Sequence, residues 1–159
     1  MRELVLDNSI LSRFKDGTID LALVEESSSE VQYYVPSTQH IEFLDDFDNL
    51  REDLQDSIQT VLNTLEPELL NLESAPFGSS PFGHGPFGGG DSKHYEEILN
   101  RMPEDDTNSN WDALGAETAI NCGLTFVTQD SDLQDALKDY SPDNLMTFEQ
   151  YRELLETYE

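Results

Sequence analysis

Apolar residues fall along the chain in two kinds of run. Residues 3–6 (Glu3-Leu4-Val5-Leu6), 31–35, 124–127 and 145–148 are short and largely unbroken, the pattern of buried strands. Between them the apolar positions take helical spacing. Ile10, Leu11 and Phe14 open a helix stopped by Asp16-Gly17, residues 19–24 fit either a strand or a helix, and 25–30 form a polar loop. The hydroxyl of Ser37 or Thr38 can cap a helix carrying Ile41, Glu42, Phe43, Leu44 and Phe47. Leu50, Leu54, Ile58, Val61, Leu62 and Leu65 make one apolar stripe whose opposite face holds Glu52, Asp53 and Asp56. A further helix is predicted over 94–102, then a polar loop over 103–110. Trp111 and Asp112 then open a helix that turns Ala113, Ala116, Ala119 and Ile120 inward and stops at Gly123. Leu133 and Leu137 mark a helix broken at Pro142, and 149–158 closes the chain. Strands alternating with helices predict an α/β fold: a three-layer α/β/α sandwich around a mostly parallel sheet, within a single domain over 1–159.

One stretch does not fit this alternation. Pro-Phe-Gly occurs at 76–78, 81–83 and 86–88, and six of the nine glycines lie between Ser74 and Ser92. Such a composition reads as a flexible insertion or linker, or as a phenylalanine-bearing arm that docks on a partner.

Charge alters the expected partners more than the fold. Asp and Glu number 34 against 8 for Lys and Arg, giving a net charge of -26. A basic footprint for nucleic acid is absent from the composition. The acids run the whole length of the chain and lysines number three (Lys15, Lys93 and Lys138), which fits a halophilic protein better than one acidic face meeting a basic partner. At about 1 M salt the Debye length is about 3 Å and self-repulsion is largely screened. No apolar run is long enough for a membrane span, and the N-terminus lacks the apolar core of a signal peptide, so a soluble, cytoplasmic protein is expected. The single cysteine, Cys122, excludes an internal disulfide and is expected to be a small buried residue. His40, His84 and His94 form no zinc motif, and the glycines at 83–90 lack the lysine and the strand of a phosphate loop.

The candidate chemistry lies in carboxylates at element ends. Asp7 follows the first strand, Asp130 follows a later one, Asp112 begins a helix and Glu42 sits one turn into another. Acids gathered at one rim of a sheet would repel one another unless a cation neutralised them, and hard oxygen donors suit Mg²⁺ or Mn²⁺. Each acid taken alone could equally be a helix cap or a surface residue, since an acid falls about every five residues.

The contexts of these acids resemble the PIN-domain nucleases. Leu4-Val5-Leu6-Asp7-Asn8-Ser9-Ile10-Leu11 is similar to the family's opening strand and aspartate. Trp111-Asp112-Ala113-Leu114-Gly115-Ala116-Glu117-Thr118-Ala119 is similar to its alanine-rich helix, and Gly123 to Leu133 resembles its strand with a Thr-x-Asp ending. Val35-Pro36-Ser37 through Glu42 matches more loosely, and the resemblance covers 2–47 and about 94–150. It implies a divalent-metal-dependent ribonuclease, a class that includes the VapC toxins of toxin–antitoxin pairs. Asp7, Asp112 and Asp130 would hold the metal, and Glu42 would support it directly or through water. Ser9 and Thr128 would orient a carboxylate or touch the scissile phosphate, while Asp132 reads as a helix cap in preference to an extra acid of the site. The implied partners are an RNA substrate, an antitoxin protein and a second copy of the chain. The alternative is a catalytically silent PIN-like binding module that uses its Pro-Phe-Gly arm for contact.

Overall fold

The apolar run at the start of the chain becomes the middle of a sheet. β1 (Arg2–Leu6) carries Leu4, Val5 and Leu6, all essentially removed from solvent, with Leu4 and Leu6 facing one core and Val5 the other. A strand buried on both faces has no polar side to alternate, which is why its pattern is continuous. β2 (Val31–Pro36) pairs with one edge of β1 and β4 (Thr125–Thr128) with the other. β3 (Glu68–Leu70) then extends β2, and β5 (Leu145–Thr147) extends β4. The order is β3-β2-β1-β4-β5 and every pairing is parallel.

The computed structural model describes residues 1–36, 47–70, 93–102 and 107–158. The expected helix through Ile41 and Glu42 and the Pro-Phe-Gly segment at 74–92 lie outside these residues. The helices described are α1 (Asn8–Lys15), α2 (Leu21–Glu26), α3 (Glu52–Leu65), α4 (Lys93–Asn100), α5 (Thr107–Asn121), α6 (Ser131–Tyr140) and α7 (Phe148–Glu156). Ile10 and Phe14 of α1, Val24 of α2, Ile58 and Val61 of α3 and Tyr151 of α7 fill the core on one sheet face. Ile98 of α4, Leu114 and Ala116 of α5 and Leu133 of α6 fill the other. Three layers result, as the alternation of elements requires.

Four local expectations change. Of residues 19–24, those from Leu21 resolve as helix, because the Asp20 side chain accepts the Ala22 N–H at 2.9 Å and caps α2, which then runs to Glu26 into the expected loop. α5 begins at Thr107, ahead of Trp111, since polar residues there continue the helix. β3 was not predicted: it is a short edge strand with Glu68 and Leu69 exposed, so it has no apolar signature. Cys122 is exposed, not buried, because it lies past the last turn of α5, beside Gly123, whose φ of 70° reverses the chain toward β4.

No helix among the described residues is long and apolar enough to cross a membrane. The ion pairs among them rest on Arg13, Arg51 and Arg101, and all are at least 31% exposed on both sides. Exposed pairs of this kind contribute about 0–1 kcal/mol each. They cannot offset the self-repulsion of a chain with net charge -26. The melting temperature is therefore expected to rise as KCl goes from about 0.1 M to about 1 M, where the Debye length shrinks to about 3 Å. A flat or falling Tm across that titration contradicts this.

Candidate active site

From β1 the chain moves to β2 on one side and later returns to place β4 on the other. The crevice beyond the carboxyl ends of β1 and β4 is thus the topological switch point, where open α/β sheets gather their ligands. Asp7 and Asp130 both stand there. Asp7 directly continues β1, and its N–H donates to the Val127 carbonyl at 3.0 Å, carrying the β1–β4 ladder one step past the strand.

The Asp7 side chain is 2% exposed. It occupies the N-cap position of α1 but makes no capping bond there. Its Oδ2 instead accepts the hydroxyls of Ser9 at 2.9 Å and Thr128 at 2.6 Å. Each hydroxyl is in turn fixed by the turn between β4 and α6. The Gln129 N–H donates to Ser9 Oγ and the Asp130 N–H to Thr128 Oγ1, both at 3.1 Å. Two backbone amides are therefore relayed through hydroxyls onto one carboxylate oxygen, leaving the carboxylate little rotational freedom.

Burial pushes the Asp7 carboxyl above its ordinary value of 3.8, and the nearby Asp130 charge pushes in the same direction. The hydrogen bonds from Thr128, Ser9 and the Asn8 N–H oppose this without cancelling it. Asp130 is half-buried, and its Oδ1 accepts the N–H groups of Asp132 at 2.9 Å and Leu133 at 3.3 Å. It is thus the cap of α6, the role expected of Asp132, which lies exposed in the first turn because the helix starts one residue after Asp130.

Of the residues singled out in the sequence, Asp7, Ser9, Thr128 and Asp130 come together. Asp112 is half-buried in the second turn of α5, and Glu42 lies outside the described residues. Among the described residues no three His, Cys, Asp or Glu side chains form a group able to hold a metal ion. Sequence reasoning missed Gln134, whose Nε2 donates to the Thr128 carbonyl at 2.9 Å, and Arg13, whose Nε donates to Gln129 Oε1 at 2.6 Å. The spacing of Gln134 four residues after Asp130, on the helix that Asp130 caps, was its available signal.

The donor chemistry fits a hard divalent cation. Asp7 and Asp130 offer carboxylate oxygens and no sulfur or imidazole, and Mg²⁺ is commonly held by one or two carboxylates with water completing its shell. A cation there would also relieve the like-charge repulsion that Asp7 experiences from Asp130.

The same architecture occurs in solved proteins. The crystal structure of PAE2754 from Pyrobaculum aerophilum superposes with a TM-score of 0.59 at 16% identity, over 98% of this chain and 96% of that one. That of VapBC2 from Rickettsia felis, bound to a DNA fragment from their promoter, matches with a TM-score of 0.56 at 16% identity, over 92% of this chain and 98% of that one. The chain has their fold. At this identity the likeness is one of architecture alone, and the three-layer α/β/α arrangement around a parallel sheet expected from the sequence is the one observed. No family model matches the chain, and no curated protein matches it in sequence.

With no cation bound, the folded state holds the Asp7 proton more tightly than the unfolded chain does. Stability therefore falls as pH rises from 3.8 toward the raised native value and stays lower above it. Asp7→Asn keeps an acceptor for both hydroxyls and removes the charge. In metal-free buffer at neutral pH its Tm should exceed that of the native chain, because no charge is left for burial and Asp130 to penalise. The gap should close as pH drops below 3.8. A variant that melts at or below the native temperature at neutral pH would show that the Asp7 charge is fully compensated.

Proposed function

We propose that this chain is a divalent-metal-dependent endoribonuclease and the toxin of a toxin–antitoxin pair. The observation carrying this reading is the buried Asp7 carboxylate set beside Asp130 at the switch point of an all-parallel sheet. A carboxylate kept out of water and near a like charge weakens the fold, and such an arrangement is typical of functional sites.

Asp7 and Asp130 are the proposed metal ligands, with Asp112 as the third and Glu42 as a further acid acting directly or through water. Asp112, half-buried in α5, is included as the third ligand because the resemblance to the PIN-domain nucleases implies it. Bound there, Mg²⁺ or Mn²⁺ would activate water and neutralise the phosphodiester for an in-line displacement. Ser9 and Thr128 hold Asp7 in one rotamer, and the cap bonds of Asp130 Oδ1 aim its carboxylate while α6 presents its positive dipole end to the same crevice.

The toxin assignment rests on the resemblance to VapC toxins and on the shared fold with VapBC2, which also support an antitoxin partner, while a homodimer rests on the family resemblance alone. Basic residues are few, so phosphate pairing contributes little to RNA affinity, and the metal and hydrogen bonds carry more of it. One observation favours the silent-module reading: the described residues form no three-donor group.

Incubation with a mixed RNA substrate separates the two. The native chain should cleave RNA with Mn²⁺ and stop when the ion is chelated, and Asp7→Asn should lose at least about 100-fold in rate while remaining folded. RNA left intact by the native chain in Mn²⁺, or full activity in Asp7→Asn, would contradict the nuclease reading.

A further inference from the structure

The Thr128-Gln129-Asp130 turn is gripped by α1 at two points. Ser9 Oγ accepts the backbone N–H of Gln129 at 3.1 Å, and Arg13 Nε donates to the side-chain Oε1 of the same residue at 2.6 Å. Ser9 and Arg13 are four residues apart on one helix and so share a face. Arg13 is itself anchored, since its Nη1 donates to Asp16 Oδ2 at 2.8 Å and the pair is 39% and 41% exposed. The planar guanidinium suits this two-partner role, holding a carboxylate with one nitrogen and an amide oxygen with another.

Gln129 is one of the two residues whose amides are relayed to Asp7. Its own N–H bonds Ser9, its neighbour Asp130 bonds Thr128, and both hydroxyls converge on Asp7 Oδ2. Fixing Gln129 therefore fixes the approach of the β4 end to the β1 end. We infer that Arg13 is a positioning residue which, through Gln129, sets the separation of the Asp7 and Asp130 carboxylates for a divalent cation. The inference rests on the metal reading above and adds to it a side-chain bond between residues 116 positions apart, neither of them a proposed ligand.

Charge and geometry predict opposite outcomes. As a positive charge near the site, Arg13 would oppose cation binding, so its removal would tighten Mn²⁺ and removal of the neutral Gln129 would change nothing. As a positioning device, its loss should weaken Mn²⁺, and loss of Gln129 should do the same. The test is calorimetric titration of the metal-free full chain with Mn²⁺, for the native protein, Arg13→Ala, Gln129→Ala and the double variant, each with its metal-free Tm. Each single variant should bind Mn²⁺ about tenfold more weakly, in line with the loss of outer partners at metal sites, and the double variant should be no weaker than either. Tighter or unchanged binding in Arg13→Ala, or a lowered Tm with unchanged Mn²⁺ affinity in both single variants, overturns the inference and leaves the metal reading standing. A native chain that takes up no Mn²⁺ overturns both.

Discussion

An aspartate almost wholly withdrawn from water sits at the end of the central strand, and much of the surrounding structure follows from satisfying it. Burying a charge is costly unless hydrogen bonds or a counter-charge replace the lost water. Here the replacement is drawn from two distant parts of the chain: Ser9, at the start of α1, and Thr128, the last residue of β4. Both hydroxyls are oriented by amides of the turn that follows β4, so the Asp7 environment requires β1 and β4 to be neighbours in register. The hydrogen bonds do not fully offset burial and the Asp130 charge, which leaves a carboxylate suited to meeting a cation.

Much of this was legible in the sequence. β1 and β4 are buried on both faces and so appear as continuous apolar runs, β2 buries Val31, Tyr33 and Val35 on one face, and the stripe ending at Leu65 reads directly as α3. Asp7 and Asp130 were legible because each falls at the end of such a strand, whereas Ser9 and Thr128 were legible only through the resemblance to the PIN-domain nucleases. What escaped depends on tertiary context. β3 is an edge strand of three residues held by pairing with β2, and nothing in Glu68 or Leu69 announces it. The polar residues from Thr107 look like loop yet continue α5. Cys122 looked buried by type but lies beyond the helix that would have covered it. The bond of Arg13 to Gln129 joins residues with no relation along the chain, and only the parallel pairing of β1 with β4 brings them together.

The acid excess and the site bear on each other. Arginines are few, and those in ion pairs are surface-exposed, so this chain has little positive charge with which to hold a polyanion. A chain of this composition that acts on nucleic acid must bring in positive charge by other means, and a divalent ion at the switch point would supply it where it is needed. The helix dipole of α6 and the amides around Asp130 add fixed partial positive charge at the same place.

The most direct measurement is a crystal structure of the full chain grown with Mn²⁺, with the ion located by its anomalous scattering. The account predicts one Mn²⁺ in the crevice beyond β1 and β4, with a carboxylate oxygen of Asp7 and one of Asp130 each about 2.1 Å away. An ordered structure in which the crevice holds no manganese, or in which manganese sits on surface acids and leaves Asp7 bonded to protein alone, would contradict it.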